Sequence, residues 1–500
     1  MQMGILDLIN KLNIKEYELY GNDIAKINLD YNNKKMGKLV LVTSINPTPY
    51  GEGKTTTTIG LIDSLNKLGV RAIGSLREPS MGPVFGRKGG AIGAGKAKVV
   101  PENKINLNFT GDFHAITYAN NLISAVIDNS IYQGNELEID RVVFNRCLDI
   151  NDRSLRKVII NGKETSFVIT PASELMSIVG LSENIDDLRI NLGNILVGYT
   201  KDNKEIYVKD LKVVDSLLYV LEDAIKPNLV RTLYNNPVFV HTGPFANISY
   251  GCSSIRSIKM AMSMSDITVT EAGFGSDTGA IKFFDLLCRK AKIYPDAVVL
   301  NVTMRSIKYN GGFDNLEYHI KNMSKFTDNL IVSLNKFEDD TLEEINELKK
   351  YLDNMNIKLC ISTMYSDGED GCIDLANEII NIKENNKKYE IYDINDSLFT
   401  KIDKIKTMFY AKEIEYSEDV KIKLELIDKY HRNLPICICK TPMSISDNEK
   451  VLGFPKDFKM KITDAKVYNG AGYIVLYMGN VLTMPGLAKD SNYLKEVYNG

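Results

Sequence analysis

Residues 39–68 read LVLVTSINPTPYGEGKTTTTIGLIDSLNKL. The first four are apolar, which is typical of a short strand buried on both faces of a sheet. Prolines and glycines then interrupt the chain, and a segment with apolar residues at helical spacing runs from Lys54 to a terminating glycine, Gly69. Strand, glycine-containing loop, Lys-Thr pair and helix follow one another in this order in phosphate-binding loops.

The loop of this segment has the chemistry that a phosphate requires. Glycines let backbone N–H groups approach an anion, a helix start favours negative charge, and a lysine reaches the terminal phosphates. The strict motif has a further glycine where this chain has Thr48, so a purely structural turn is the alternative, but the flanking strand and helix favour phosphate binding. The candidate binding residues are Thr48, Pro49, Tyr50, Gly51, Glu52, Gly53, Lys54 and Thr55.

Length and composition predict an ordinary soluble globular protein. By length alone, the chain should form about three domains with a large core. Hydrophobic residues make up 44% and charged residues 25%, and the net charge of -3 gives no electrostatic indication of nucleic-acid binding. The N-terminus lacks the apolar core of a signal peptide, and no apolar run approaches the roughly 20 residues that cross a bilayer. We therefore expect a cytoplasmic protein with no membrane partner.

The cysteines and histidines do not form a recognisable metal motif. The seven cysteines are scattered without a CxxC pair, which favours buried, reduced thiols. The four histidines are far apart in the sequence and lack metal-ligand spacing.

A second glycine-rich segment extends from Met81 to Pro101 and contains several basic residues. It is either a flexible surface loop or a second anion-binding wall, and the combination of glycines with clustered positive charge favours the wall. The basic residues that would face the phosphates are Arg77, Arg87, Lys88, Lys96 and Lys98.

Asp112 and His114 precede a helix that is rich in Ala, Leu and Ile. They are either helix-capping groups or site residues, and the sequence does not distinguish the two.

Further short strand candidates end in polar turns. Val238–Val240, Ile267–Val269 and Ala297–Val302 are each followed by such a turn, and Leu330–Leu334 and Leu359–Ser362 continue the pattern. Repeated strand-then-helix order predicts an α/β fold, with a P-loop NTPase-like, mostly parallel sheet and helices on both faces. The polar turns should gather beyond the carboxyl ends of the strands, where such sheets bind ligands.

We expect two smaller C-terminal domains beside this large one. The predicted division is residues 1–320 for the nucleotide-binding domain with a peripheral α/β section, 321–385 for a second α/β domain, and 386–500 for the last.

Several long runs of the chain resemble the formate–tetrahydrofolate ligase (formyltetrahydrofolate synthetase) family. They are TPYGEGKTTTT, REPSMGPVFGRKGG, INLNFTGDFHAIT, NNLISAVIDNSIYQGNELEID, HTGPFANISYGC, DITVTEAGFGSDTGAIKFFD and TMPGL. The resemblance extends over nearly the whole chain, and several of these runs are long and unlike general P-loop sequences, so the resemblance is specific.

The resemblance implies a carbon–nitrogen ligase of one-carbon metabolism. ATP would activate formate to formyl phosphate, and the formyl group would pass to N10 of tetrahydrofolate. The resemblance also implies Mg²⁺ with the nucleotide, a monovalent cation and a homotetramer. Lys54, Arg77 and Mg²⁺ would screen the repulsion between carboxylate and phosphate, with Thr55 as the Mg²⁺ ligand. Glu271 and Asp277 are the candidates for orienting the metal or handling the amine proton.

The folate site is where the chain departs most from the family. The family holds the pterin ring between a phenylalanine and a tryptophan, which correspond here to Phe337 and Tyr365, and this chain has no tryptophan. Two alternatives follow. One is a divergent paralogue that keeps the fold and the ATP loop but has altered or lost folate activity. The other is a nonenzymatic, nucleotide-responsive assembly protein.

Overall fold

The computed structural model of the protein describes residues 3–28, 31, 35–86 and 92–494. Its α-helices, in chain order, are α1 (Ile5–Lys11), α2 (Lys54–Lys67), α3 (Met81–Phe85), α4 (Glu102–Asn106), α5 (Asp112–Tyr132), α6 (Glu174–Leu181), α7 (Ile185–Gly193), α8 (Val214–Leu221), α9 (Ile255–Met264), α10 (Arg289–Ala291), α11 (Met304–Tyr309), α12 (Phe313–Met323), α13 (Leu342–Asn354), α14 (Met364–Asp367), α15 (Ile373–Ile380), α16 (Leu398–Phe409) and α17 (Glu418–His431). Two π-helical segments, Ser276–Ala280 and Phe283–Cys288, precede α10.

The strands, also in chain order, are β1 (Tyr17–Tyr20), β2 (Ile24–Ile27), β3 (Lys38–Ser44), β4 (Ala72–Leu76), β5 (Gly93–Ala94), β6 (Ala97–Val100), β7 (Arg141–Val142), β8 (Arg146–Leu148), β9 (Val158–Ile160), β10 (Lys163–Thr165), β11 (Phe167–Ile169), β12 (Leu196–Tyr199), β13 (Glu205–Tyr207), β14 (Asn228–Thr232), β15 (Pro237–Val240), β16 (Ile267–Glu271), β17 (Ala297–Val302), β18 (Leu330–Asn335), β19 (Lys358–Ser362), β20 (Glu413–Tyr416), β21 (Ile436–Cys439), β22 (Lys459–Tyr468) and β23 (Tyr473–Met478).

One large sheet organises the described residues. Its main path is β1-β2-β14-β15-β4-β16-β3-β17-β18-β19, and the β5–β6 hairpin joins it at β14. All neighbours from β15 to β19 along this path are parallel, whereas the pairs on the β1 side are antiparallel. The prediction of an α/β fold with a mostly parallel sheet is confirmed.

Helices cover both faces of this sheet because the central strands are apolar on both sides. In β3, Leu39 and Leu41 belong to one buried cluster, while Val40 and Val42 belong to a second cluster that contains apolar residues of α2. Successive side chains of a strand point to opposite faces, so this alternation needs a covering layer on each face.

The helix after the loop begins and ends at glycines. Gly53 precedes α2 with a φ of 71°, a left-handed conformation that suits glycine, and Gly69 follows it with a φ of 84°. At the end of α2, the N–H of Gly69 donates to the carbonyl oxygen of Asn66, and the N–H of Val70 donates to that of Leu65. These two bonds satisfy carbonyl groups that the helix leaves open and stop it at the predicted place.

The carboxyl ends of the parallel strands lie at one edge of the sheet. The register pairs Glu271 with Val42, Asn301 with Ser44, and Asn335 with Ser362. The polar turns that follow these strands therefore gather at one edge, as the sequence predicts.

A separate four-stranded sheet forms near the C-terminus in the order β20-β22-β23-β21, accompanied by α16 and α17. Strands β18 and β19 belong to the large sheet, and the predicted division into three domains stays a prediction. All seven cysteines are buried and unpaired, as expected. Within the described ranges, no helix is both long and apolar enough to cross a membrane.

Candidate active site

The loop between β3 and α2 leaves the start of the helix open. Gly53 has no side chain to cap α2, and among the described residues no side chain accepts from the N–H groups of the first turn, so these groups can face an anion. A Cβ atom at Gly53 would lie 2.3 Å from Asn335 Nδ2, so a larger residue would displace the Asn335 amide as well as strain the left-handed backbone. Pro49, Tyr50 and Gly51 form the exposed outer part of the loop.

Glu52 anchors this loop through its side chain and its backbone carbonyl. Its buried carboxylate accepts hydrogen bonds from the hydroxyl groups of Thr48 and Thr303, and Asn301 Nδ2 donates to its backbone carbonyl at 2.9 Å. The Thr48 hydroxyl also accepts from the N–H of Tyr50 at 3.1 Å. Thr48, which replaces the glycine of the strict motif, therefore braces the loop with a side chain. Thr48 and Glu52 therefore shape the loop, and Lys54 is the first residue of the helix that follows it.

A second set of side chains fixes the base of the loop at Asn46. Asn310 Nδ2 donates to the Asn46 carbonyl at 2.7 Å, and Asn315 Nδ2 donates to its side-chain oxygen at 2.9 Å. The N–H of Asn46 donates to His319 Nε2 at 3.2 Å. Burial lowers the pKa of His319 to about 4, so its imidazole is neutral and can accept this bond.

Four of the predicted residues meet at the ends of β3, β4 and β16. The Thr55 hydroxyl donates to Glu271 Oε2 at 2.9 Å, and Arg77 NH2 lies 3.8 Å from Glu271 Oε1. Lys54 Nζ donates to the carbonyl oxygen of Phe274 at 2.9 Å, three residues beyond Glu271. Arg77 and Lys54 both interact electrostatically with the Glu271 carboxylate, so this cluster has two cations and one anion beside the open helix start.

The surroundings of Lys54 favour the neutral form of its amine. Burial lowers its pKa to about 8, although Glu271 acts in the opposite direction. Phe274, which supplies the carbonyl oxygen, has a φ of 57°, unusual for a residue with a bulky side chain. This backbone angle turns the Phe274 carbonyl toward Lys54 and toward the Ser44 hydroxyl, which donates to it at 2.9 Å. A bound phosphate would place negative charge beside the Lys54 amine and so favour its protonated, positively charged form.

Arg77 retains unused donors. Its NH1 donates to the carbonyl oxygen of Pro244 at 3.2 Å, but its Nε is buried without a hydrogen-bond partner among the described residues. A guanidinium group with open donors beside Lys54 is suited to gripping a carboxylate or a phosphate.

Asp277, at the start of a π-helical segment, has a different partner. Its Oδ2 is 2.6 Å from Lys440 Nζ, and both side chains are fully buried. Lys440 Nζ also donates to the carbonyl oxygen of Thr441 at 3.0 Å. This ion pair ties the turn after Gly275 to the C-terminal part of the chain. A direct role of Asp277 in proton transfer stays a prediction.

The two predicted folate residues emerge from neighbouring strands. Phe337 follows β18 and Tyr365 follows β19, and the N–H of Lys336 donates to the carbonyl oxygen of Ser362 at 3.0 Å. The Phe337 N–H donates to Asp340 Oδ2 at 2.8 Å, which fixes its turn. Tyr365 is 61% exposed and packs against Gly95 of the β5–β6 hairpin. Both aromatic residues thus lie at the carboxyl edge of the sheet.

The predicted basic wall is only partly present among the described residues. Arg87 and Lys88 lie outside the described ranges. Lys96 is exposed in the hairpin turn, and Lys98 pairs with Glu102 at 2.9 Å on the surface. Of the described members, Arg77 alone reaches the loop site.

Asp112 and His114 have different surroundings. Gly111, and not Asp112, is the capping position of α5, and Asp112 forms a buried ion pair of 2.6 Å with Lys26. His114 is exposed. The capping interpretation is therefore wrong for Asp112.

The sequence did not single out Arg305, Asn301 or Asn335 as site residues, yet all three contact the loop. The signal in the sequence that could have indicated them is the polar turn that follows each of the strands β17 and β18, close to these three residues. No cluster of three or more His, Cys, Asp or Glu side chains in the described part of the chain could hold a metal ion by itself.

The sequence profile of the formate–tetrahydrofolate ligase family matches residues 2–497. The formate–tetrahydrofolate ligase of Caldicellulosiruptor saccharolyticus is 46% identical over 510 aligned positions, which cover 95% of this chain and 92% of that relative. The match spans the loop, the ends of β4 and β16, and the turns after β18 and β19. The chain therefore belongs to the formate–tetrahydrofolate ligase family.

Proposed function

We propose that the protein ligates formate to tetrahydrofolate at the cost of ATP, giving 10-formyltetrahydrofolate, ADP and phosphate. The observation that carries this proposal is the cluster of Lys54, Thr55, Arg77 and Glu271 at the open start of α2. The family relationship supplies the substrates, and the cluster supplies the charges that an ATP-dependent activation of a carboxylate needs.

In the first step, a formate oxygen attacks the γ-phosphorus of ATP. The new O–P bond forms as the bond to the ADP oxygen breaks, which gives formyl phosphate and ADP. Because both reactants are anions, positive charge must screen them in the transition state. Lys54 and the N–H groups at the start of α2 would hold the phosphates, and the open donors of Arg77 would orient formate.

The residues present fit a magnesium ion. Thr55 and Glu271 offer a hydroxyl and a carboxylate oxygen at one point, and Mg²⁺ prefers oxygen ligands supplemented by substrate phosphates. When bound, Mg²⁺ would neutralise charge on the β- and γ-phosphates. Thr55 is the proposed direct ligand, and Glu271 is proposed to orient it.

In the second step, N10 of tetrahydrofolate attacks the formyl carbon. The C–O bond to phosphate breaks, phosphate leaves, and N10 loses its proton. Glu271 and Asp277 are the candidate carboxylates for accepting this proton. The buried ion pair between Asp277 and Lys440 supports a positioning role for Asp277, whereas Glu271 interacts electrostatically with Lys54. Phe337 and Tyr365 are proposed to hold the pterin ring by stacking.

Product analysis under systematic omission of substrates tests this function. We expect 10-formyltetrahydrofolate and ADP in equal amounts, neither product when formate is left out, and no continued release of ADP when tetrahydrofolate is left out. ATP turnover that needs formate but yields no formylated folate would favour the divergent paralogue. This alternative is considered because Tyr365 stands where the family has a tryptophan. ATP binding without turnover would favour a nucleotide-responsive assembly protein.

Two further properties belong to the proposal through the family resemblance alone. A monovalent cation should activate the enzyme. The test is to measure activity at constant ionic strength while potassium is replaced with sodium or with a bulky organic cation. The proposed homotetramer predicts a molar mass of four chains, and sedimentation equilibrium measures it.

A further inference from the structure

Arg305 lies on α11, just beyond the carboxyl end of β17, between the phosphate loop and the turn that carries Phe337. Strand β17 pairs with β3 on one side and with β18 on the other. Its following turn is therefore the direct neighbour of both the proposed nucleotide site and the proposed folate site.

The Arg305 guanidinium contacts both of these neighbours. Its NH2 donates to the carbonyl oxygen of Gly51 at 2.9 Å and lies 3.5 Å from Glu52 Oε2. Its central carbon is 5.3 Å from the ring centroid of Tyr50 and 5.1 Å from that of Phe337. Both distances are within the range of cation–π attraction. One side chain thus touches the loop through three residues and the proposed folate residue through one.

We propose that Arg305 is a positioning residue that couples the two sites, so that nucleotide in the loop increases the affinity for tetrahydrofolate. This inference rests on the proposed function. Phosphate binding fixes the exposed outer part of the loop, and with it the Gly51 carbonyl and the Tyr50 ring that Arg305 contacts. Arg305 then holds the Phe337 ring in a single orientation for stacking. By thermodynamic linkage, tetrahydrofolate must increase nucleotide affinity by the same factor.

This role requires arginine specifically. A guanidinium group is planar and delocalised, and it can stack on rings while its N–H groups donate in the plane. A lysine at this position would keep the positive charge but would present only a compact ammonium group. Arg305→Lys therefore separates the coupling from the simple electrostatic effect of a cation near the phosphates.

Calorimetric titration of the full-length protein tests the coupling. Tetrahydrofolate is titrated with and without a nonhydrolysable ATP analogue and Mg²⁺, and the analogue is titrated with and without tetrahydrofolate. In the parent, we expect each ligand to tighten the other about fivefold or more, within the usual range of coupling between sites. In Arg305→Lys the factor should fall below about twofold, while each ligand alone binds within about threefold of the parent.

Lys308→Gln is the matched control, since Lys308 lies on the same helix but pairs with Glu344 on the surface at 2.5 Å. It should retain the parent's coupling factor. If Arg305→Lys fails to fold, Arg305→Gln removes the guanidinium group from this partly exposed side chain instead, and it should lower the coupling in the same way.

Coupling that is absent in the parent, or that persists unchanged in a folded variant of Arg305, overturns the proposed role of Arg305. These outcomes differ from failure of the proposed function, in which the parent binds no nucleotide analogue or forms no 10-formyltetrahydrofolate. Product formation with uncoupled binding would leave the enzyme's function in place and remove only the coupling.

Discussion

The Thr55 hydroxyl donates a hydrogen bond of 2.9 Å to Glu271 Oε2, although the two residues are 216 positions apart in the chain. The contact exists because β16 lies beside β3 in the sheet, with Glu271 in register with Val42. The loop then returns the chain to the same edge before α2 begins. A hydroxyl group, a carboxylate and an open helix start are thereby placed at one point, which is the arrangement on which the proposed chemistry depends.

Replacing Lys54 with alanine should lower kcat by at least about a hundredfold, because it removes positive charge from the phosphoryl-transfer transition state. Lys67→Ala is the matched control: Lys67 is on the same helix but pairs with Glu369 and Asp370 at its far end. Steady-state kinetics and circular dichroism of both variants provide the measurement. Near-normal turnover in folded Lys54→Ala would remove the loop lysine from the mechanism.

Arg77→Ala should impair the formate-dependent reaction more than it impairs ADP binding. Its guanidinium has unused donors and lies beside Glu271, where it can grip formate or the transferred phosphoryl group. Kinetics with varied formate gives the first effect, and calorimetry with ADP gives the second. Arg77→Lys, which keeps the charge but not the paired donors, should recover little activity. If turnover and ADP affinity fall equally, Arg77 is a plain nucleotide ligand.

Asp63 makes the stability of the protein depend on pH. Its carboxylate accepts hydrogen bonds from Thr232 and Asn236, but burial raises its pKa to about 7. The folded state therefore holds this proton up to a higher pH than the unfolded state, whose aspartate pKa is about 3.9. The free energy of unfolding should fall as the pH rises from about 4 to about 7. Above about pH 7, the titration of Asp63 should lower it no further.

Asp63→Asn keeps the accepting oxygen and removes the charge, so it should be more stable than the parent at about pH 8, with an advantage that shrinks as the pH falls from about 7 to about 4. Thermal unfolding at several pH values measures this difference. Asp353→Asn, on the solvent-exposed part of α13, is a control that should show no such trend. A pH-independent difference between Asp63→Asn and the parent would show that Asp63 does not titrate in this range.

Tyr365→Trp should lower the KM for tetrahydrofolate and leave the KM for ATP unchanged. A larger ring offers more stacking area, and aromatic pairs contribute roughly 0.5–1.5 kcal/mol beyond burial. The tyrosine is 61% exposed, which leaves space for the indole. Tyr219→Trp, at an exposed position on α8, controls for the introduction of a tryptophan. Equal folate KM values for the parent and Tyr365→Trp, or a change in the ATP value, would contradict the stacking role.

Local features of the fold were predictable because their causes are local. The apolar run of β3 and the glycine that ends α2 both act through neighbouring residues. Strand β4 begins at Ala72 and not directly after Gly69, since the Val70 N–H donates to the Leu65 carbonyl and closes the end of α2. Such a boundary depends on a hydrogen bond that composition does not show.

The partners of the site residues were not predictable, because they depend on the order of strands in the sheet. Arg305 was recognisable only as part of a polar turn, and its contacts with Tyr50 and Phe337 follow from the position of β17 between β3 and β18. Asp277 was recognised as an acidic candidate, but its partner Lys440 comes from a segment 163 residues away. A single sequence carries no signal for these long-range pairs.

Formate labelled with ¹⁸O in both oxygens provides the most direct measurement of the proposed chemistry. The formate oxygen that attacks the γ-phosphorus stays with phosphorus when N10 displaces the phosphate. We therefore expect mass spectrometry to find one ¹⁸O atom in each phosphate released, at the rate at which 10-formyltetrahydrofolate forms, and both signals should fall together in Lys54→Ala. Phosphate without ¹⁸O, released while 10-formyltetrahydrofolate accumulates, would contradict activation of formate as formyl phosphate at this site.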